Sequence, residues 1–298
     1  MRILSTGVGL PSGEPKSNLQ MITRGELKTT REWIESKTGM SRRYISDGSK
    51  TETVDMATAA VRQATADTNF DMLIVATQTP DFVCPSTASQ VLERIGVTAT
   101  SFDIANSCSA FATALDVAER FLCDHPRIVV VGVDTMSRII EPTCRQTAIF
   151  FGDGAGACLI EQDDRSIVRT SGTEGNHKPV SSFPDGKITM TGKDVWKFAQ
   201  RIIENLLTDL CEQADIKMKE ISFVIPHQGS PIMLKTAARN LGLADDVMQI
   251  NGKQYGNTAA ASAAIMMHEC FGNIKHGEYV AVIGFGAGLS WHGILFQA

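Results

Sequence analysis

Four short stretches of the chain carry side chains able to do chemistry. The first is SFDIANSCSAFATALDVAERFL at 101–122. A short strand over 102–105 runs into small polar residues and Cys108. An amphipathic helix follows, with Phe111, Leu115, Ala118 and Leu122 on one face. This order puts Ser107 or Cys108 near a helix N-terminus, where unpaired N–H groups and the positive dipole end favour an anion. A thiolate is such an anion, so the position is expected to lower the thiol pKa from its free value of ~8.5. Ser107, Ser109 and Ala110 are small enough to admit a substrate. The competing assignment is a small apolar core residue, a common fate of free cysteine.

The second stretch is IPHQGS at 225–230. His227 directly follows a buried strand, and ligand groups in α/β folds gather at the carboxyl ends of strands. A structural histidine is the alternative. The third is YGNTAAAS at 255–262, where Gly256 permits a tight turn and Asn257 suits a helix N-cap. Taken alone, the cap is the preferred assignment for Asn257. The fourth is GFGAGLSWHG at 284–293, whose Gly286 and Gly288 can bring backbone N–H groups to a ligand. A dinucleotide-binding loop fails there, because Leu289 stands where the third Gly is needed and no helix pattern follows. FGDGAGA at 151–157 fails as a phosphate loop because it precedes a strand. Among the other histidines, His125, His177 and His276 lie in polar, loop-like and solvated stretches. His268 falls inside a helix pattern, and His292 receives no role.

The elements that must position these residues are those of an α/β fold. Apolar runs at 71–77, 127–133, 155–161, 221–226 and 279–284 read as strands covered on both faces. Helix patterns lie between them, at 195–211 through Val195, Phe198, Ile202 and Leu206, and at 258–270, which is apolar nearly all round. The halves echo one another. DMLIVAT is answered by ISFVIP, and IVVVGV with FFGDGAGACLIEQ is answered by YVAVIGFGAGLSWHGILF. Two echoes in the same order imply a duplicated unit. The join is expected in a linker over 162–188, rich in Asp, Ser, Gly, Asn and Pro.

Composition sets the outer bounds. The 298 residues are 43% hydrophobic and 20% charged, enough for a sizeable core. Lys plus Arg is 28 and Asp plus Glu is 33, a net charge of −5 that argues against a general nucleic-acid binder. The best apolar run, 128–133, is far below the ~20 residues a bilayer requires, and the first residues do not read as a signal peptide. Seven scattered cysteines with no CxxC pair suggest neither a disulfide framework nor a metal site, and point to the reducing cytoplasm.

Taken in order, the motifs resemble one family. GVGLP at 7–11, REWIESKTGMSRRYI at 31–45, VATQTPDFVCPSTAS at 75–89, FDIANSCSAF at 102–111, EPTCRQTAIFFGDGAGA at 141–157, PHQGS at 226–230, YGNTAAAS at 255–262 and GFGAGLSWHG at 284–293 are similar to the type III β-ketoacyl-acyl-carrier-protein synthases of the thiolase-like superfamily. The resemblance implies a five-layer αβαβα sandwich of two similar halves, 1–165 and 166–298, in a homodimer. It implies a Cys108–His227–Asn257 triad. Cys108 takes the acyl group of an acyl-CoA as a thioester. His227 and Asn257 then donate to the enolate formed when a malonyl thioester on acyl carrier protein loses CO₂. No cofactor is implied, acyl-CoA being a substrate.

By the same resemblance, the N–H groups of Cys108 and Ala287 form the oxyanion hole. Trp33 and Arg145 sandwich the CoA adenine, with Thr29, Gly229 and Ser230 also contacting CoA. Phe285 flanks the nucleophile, Cys84 lines the partner's acyl pocket, and Lys197 and Arg239 face the carrier protein. NSCSAF is more polar than the usual nucleophile loop, and Cys84 replaces a bulkier residue. These departures admit a relative that only transfers acyl groups, or one using an unusual starter in secondary metabolism. A non-catalytic partner subunit is disfavoured because the triad is complete. A degradative thiolase is disfavoured because 284–293 lacks a second cysteine.

Overall fold

The computed structural model describes residues 1–49, 52–66, 68–182 and 186–298. Two sheets dominate it. The first holds β1 (Arg2–Gly9), β2 (Met72–Ala76), β3 (Thr100–Ile104), β4 (Arg127–Thr135) and β5 (Asp153–Glu161), in the order β1-β5-β4-β2-β3. The second holds β6 (Ile167–Asn176), β7 (Ile221–Pro226), β8 (Tyr279–Gly286) and β9 (Gly288–Gln297), in the order β7-β8-β9-β6. The echo in the sequence is an echo in pairing. β2 lies parallel to β4 and β4 antiparallel to β5, just as β7 lies parallel to β8 and β8 antiparallel to β9.

Strand periodicity explains the layering, because successive side chains point to opposite faces. Met72, Ile74, Ile128 and Val130 face a middle layer made by α3 (Ala110–Phe121) and α6 (Ala261–Cys270). Leu73, Val75, Val129 and Val131 face the outer helix α2 (Glu52–Thr65). In the second sheet Val280, Val282 and Ile294 face the same middle layer. Ala281, Ile283 and Leu295 face α4 (Gly192–Ala214) and α5 (Pro231–Asn240). The stacking is therefore helix, sheet, helix, sheet, helix, the five layers expected. The middle helix α6 is buried along Ala261–Met267, as its uniformly apolar sequence requires.

One expectation is corrected. The segment 162–188 is not simply a linker, because it contains β6, ten residues paired antiparallel with β9. β6 is an edge strand with much of its surface exposed, so it carries Arg169, Thr170, Ser171 and Glu174. An edge strand needs no continuous apolar run. Residues 183–185 of that segment lie outside the described residues. No helix of the described residues is long and apolar enough to cross a membrane.

Candidate active site

The nucleophile candidate sits where β3 ends. The chain turns through Ser107, which has φ +51, into a short 3₁₀ turn over Ser107–Ser109 and then α3. The turn is held from inside. Ser109 is fully buried, its hydroxyl donates to Asn106 O at 2.7 Å, and it lies 2.9 Å from the Ser290 hydroxyl of β9. β8 approaches this turn with no side chain between. A Cβ on Gly284 would stand 2.6 Å from Ser109 Cα, and one on Gly286 would stand 2.8 Å from Cys108 N and 3.0 Å from Cys108 Cβ. Gly286 thus lets two backbones meet at Cys108, a more demanding role than the ligand contact its sequence suggested.

His227 leaves the end of β7 with its N–H donating to Ile283 O at 2.8 Å. The ring is buried, and Phe285 meets it edge-on at 5.2 Å. Ser262, in the first turn of α6, accepts from Gln228 N–H at 3.2 Å. Its oxygen lies 2.8 Å from both Ala259 O and His227 Nδ1. With the hydroxyl hydrogen on the Ala259 carbonyl, Ser262 accepts from Nδ1–H, which leaves Nε2 as the unprotonated nitrogen.

Asn257 is laid alongside the segment that leads into β5. Its N–H donates to Phe150 O at 2.8 Å, and Gly152 N–H donates back to Asn257 O at 3.0 Å. Its side-chain Oδ1 accepts from Ala259 N–H at 2.9 Å. The cap-like bond expected of Asn257 is therefore present, although α6 begins only at Ala261. That bond fixes the carboxamide and leaves Nδ2 as a donor. Cys108, His227 and Asn257 all line one cavity of about 770 Å³, together with Phe285, Ala287, Gly229 and Ser230. Ser107, Ala259 and Leu289 also line it, and each has a left-handed backbone, with φ +51, +47 and +53. Backbone strain in non-glycine residues concentrates at functional sites.

Comparison with known proteins supports the same conclusion from another side. Residues 102–175 match the family model described as 3-oxoacyl-[acyl-carrier-protein] synthase III, and residues 211–298 match its C-terminal model. A β-ketoacyl-[acyl-carrier-protein] synthase III of Caldanaerobacter subterraneus is 35% identical, covering 97% of this chain and 95% of that protein. One from Staphylococcus aureus is 36% identical over 89% of each. The chain belongs to the β-ketoacyl-[acyl-carrier-protein] synthase III family. The crystal structure of the Aquifex aeolicus synthase III superposes with TM-score 0.94 at 31% identity, covering 100% of this chain and 99% of that one. As a synthase III, the chain is an acyltransferase of the condensing type, with the thiolase-like fold.

The electrostatics of this synthase site differ from the sequence expectation. Burial pushes the Cys108 thiol up to about 12, and the Asp134 carboxylate adds to the rise. Removal from water thus outweighs the hydrogen bonds of the Ser107 side chain and the Cys108 backbone, which act to lower it. Burial pushes His227 down to about 4. At neutral pH the resting pair is a thiol and a neutral imidazole. Asp134, at the end of β4, is itself fully buried and raised to about 6 by that burial. Its Oδ1 accepts from Thr77 Oγ1, Gln78 N, Thr79 N and Thr79 Oγ1, and its Oδ2 accepts from Ala260 N at 2.9 Å. It therefore ties the ends of β2 and β4 to the turn that carries Asn257.

Thr29, Trp33, Cys84, Arg145, Lys197 and Arg239 lie outside the cavity lining. Trp33, on α1 (Arg31–Thr38), and Arg145 stack directly on each other, the guanidinium 4.7 Å from the ring centroid, which leaves no room between them for the adenine that the resemblance places there. Thr29 is nearby in sequence, with a buried hydroxyl that has no partner. Ser230 accepts from Met233 N–H at 3.2 Å as the N-cap of α5, so its hydroxyl already has a structural task. Cys84, Lys197 and Arg239 are exposed. Two lining residues with ionisable side chains escaped the sequence reading, Lys37 and His177. Lys37 had a usable signal, being four residues after Trp33 on one helix face. His177 is exposed at the end of β6, so its assignment as solvated holds but misses its place on the cavity wall. His292, left without a role, is buried and bonds Asp116 of α3 through Nε2 at 3.1 Å. Among the described residues no group of three or more His, Cys, Asp or Glu could hold a metal ion.

Proposed function

We propose that Cys108, His227 and Asn257 carry a two-stage condensation between an acyl-CoA and a malonyl thioester on acyl carrier protein. The observation that supports this most is their convergence on one cavity from β3, β7 and the turn before α6. In the first stage His227 Nε2 takes the Cys108 proton. The thiolate attacks the acyl carbonyl, the bond to CoA breaks, and CoA thiolate is protonated from solvent. In the second stage the malonyl carbon–carbon bond breaks and CO₂ leaves. The electron pair becomes an enolate, whose oxygen accepts from His227 Nε2–H and Asn257 Nδ2–H. The enolate carbon bonds to the acyl carbon, and Cys108 leaves as thiolate and recovers its proton from Nε2.

The N–H groups of Cys108 and Ala287 serve as oxyanion donors. Trp33, Arg145, Thr29 and Lys37 receive the nucleotide end of CoA, where stacking and positive charge suit an adenine and phosphates. Gly229 and Ser230 border the pantetheine arm, and Lys197 and Arg239 offer exposed positive charge to an acidic carrier protein. Residues 1–165 and 166–298 are read as duplicated halves. A homodimer is supported by the exposed apolar Phe82 and Val83 beside Cys84, and by β3 as an edge strand. Intact mass spectrometry after incubation with acyl-CoAs tests the reading. An acyl adduct is expected, absent from Cys108→Ala, and discharged by malonyl carrier protein with release of CO₂. An unmodified protein with every acyl-CoA would refute it.

A further inference from the structure

We infer that the chamber beside Cys108 selects a short acyl group bearing a neutral oxygen, a hydroxyl or keto group, beyond its thioester carbonyl. The inference rests on Cys108 as the acyl acceptor, proposed above. β2 and β3 run parallel with Ala76 opposite Ile104, and Thr77 N–H donates to Ile104 O at 3.1 Å. Continuing that register, Gln78 and Asn106 leave the carboxyl ends of neighbouring strands side by side. Both line the cavity that contains Cys108.

Neither carboxamide oxygen has a partner among the described residues; Gln78 is exposed and Asn106 half-buried. Asn106 Nδ2 donates to Thr113 Oγ1 at 2.9 Å, which fixes the group and leaves Oδ1 without a partner. Gln78 Nε2 makes one long bond, 3.3 Å, to the carbonyl of its own neighbour Thr77, and Oε1 has none. Met136, Ile139, Phe150 and Phe151 supply apolar wall for a carbon skeleton. A plain hydrocarbon would take water from the two carboxamides and return nothing, whereas a hydroxyl or keto oxygen would bond to them. An anionic tail is disfavoured, because Asp134 Oδ1 sits directly behind, accepting Gln78 N–H at 2.7 Å. Lys37 and His177, which also line the cavity, stand on other elements, α1 and the end of β6.

The test compares single-turnover loading of Cys108 from butyryl-CoA, 3-hydroxybutyryl-CoA and succinyl-CoA, followed by intact mass spectrometry. 3-Hydroxybutyryl-CoA is expected to load about tenfold faster than butyryl-CoA, the worth of one good neutral hydrogen bond, and succinyl-CoA slowest. Gln78→Leu and Asn106→Ala should each narrow the first ratio to about twofold or less, with thermal melting confirming that both variants fold. Equal loading of butyryl and hydroxybutyryl groups by the wild type would overturn the inference while leaving Cys108 as acceptor intact. So would a preference that survives both substitutions. Failure of all three donors to load would instead remove the thioester reading, and the inference with it.

Discussion

Substituting Gly286 by Ala tests how closely β8 must approach the nucleophile. The new Cβ would lie 2.8 Å from Cys108 N and 3.0 Å from Cys108 Cβ, against 3.4 Å where ordinary contact begins. The deficits are 3.4 − 2.8 = 0.6 Å and 3.4 − 3.0 = 0.4 Å. Backbone, not a flexible side-chain tip, receives the push, so β8 and the 107–109 turn must separate by roughly half an ångström. The cost in stability is that of overpacking, about 1–3 kcal/mol, which for a chain of this size lowers Tm by a few degrees. The cost in rate should be larger in relative terms, since a 1 Å misplacement of reacting groups costs about 100-fold. At least a tenfold slower single-turnover acylation by butyryl-CoA is expected for Gly286→Ala. Gly272→Ala, where a Cβ meets nothing within 4 Å, serves as the control and should match wild type. An acylation rate within twofold of wild type in Gly286→Ala would refute the reasoning, even if Tm fell.

Four further outcomes can be checked. Alkylation of Cys108 by iodoacetamide, followed at its own peptide, should rise about tenfold per pH unit through pH 10, because burial holds the thiol near 12; a plateau with a midpoint near 8.5 would contradict this. Asp134 is raised to about 6 in the folded chain, against an ordinary value of about 3.9, so its protonated form favours folding below pH 4 and that benefit is lost as pH rises through 6. The stability of wild type relative to Asp134→Asn should therefore fall by about 2 kcal/mol between pH 4 and pH 7 in urea titrations, and a pH-independent difference would exclude it. Burial works to raise Asp116, but the His292 hydrogen bond and the charges of His292, Arg169 and Arg120 hold it below the usual carboxylate range. His292→Phe should cost about 1–3 kcal/mol at pH 7 by removing a buried partner, less of it toward pH 3 as Asp116 protonates, read from the melting curve. Trp33→Ala should raise KM for the acyl-CoA several-fold with kcat unchanged, since the Arg145 stack acts on binding and not on the reacting atoms; a fall in kcat alone would place Trp33 elsewhere.

Much of this molecule was legible before its coordinates. Strands buried on both faces announce themselves as unbroken Val and Ile runs, and β2, β4, β5, β7 and β8 follow those runs closely, whereas β1, a partly exposed edge strand, does not show as one. Position at the ends of elements marks Cys108 and His227 as candidates and leaves Asn257 as a cap; it is the family resemblance that groups the three, and all three line one cavity. β6 was not legible, because none of its residues is buried and its polarity resembles that of a loop. The thiol's direction of shift was missed because a helix N-terminus is visible in sequence while the depth of burial around it is not. Asp134 was passed over inside an apolar strand, since its five donors come from residues 77–79 and 260. Gly286 was seen as a ligand contact because the opposing backbone that needs it is 178 positions away in the chain, at Cys108 (286 − 108 = 178).

The way Asn257 is seated has a consequence for how this enzyme is assembled. Its main chain is stitched to Phe150 and Gly152, and its neighbour Ala260 to Asp134, so a residue of the later half is fixed by atoms of the earlier one. Cutting the polypeptide between 161 and 167 would leave the later fragment without the surface that shapes its own carboxamide turn, however well its sheet formed.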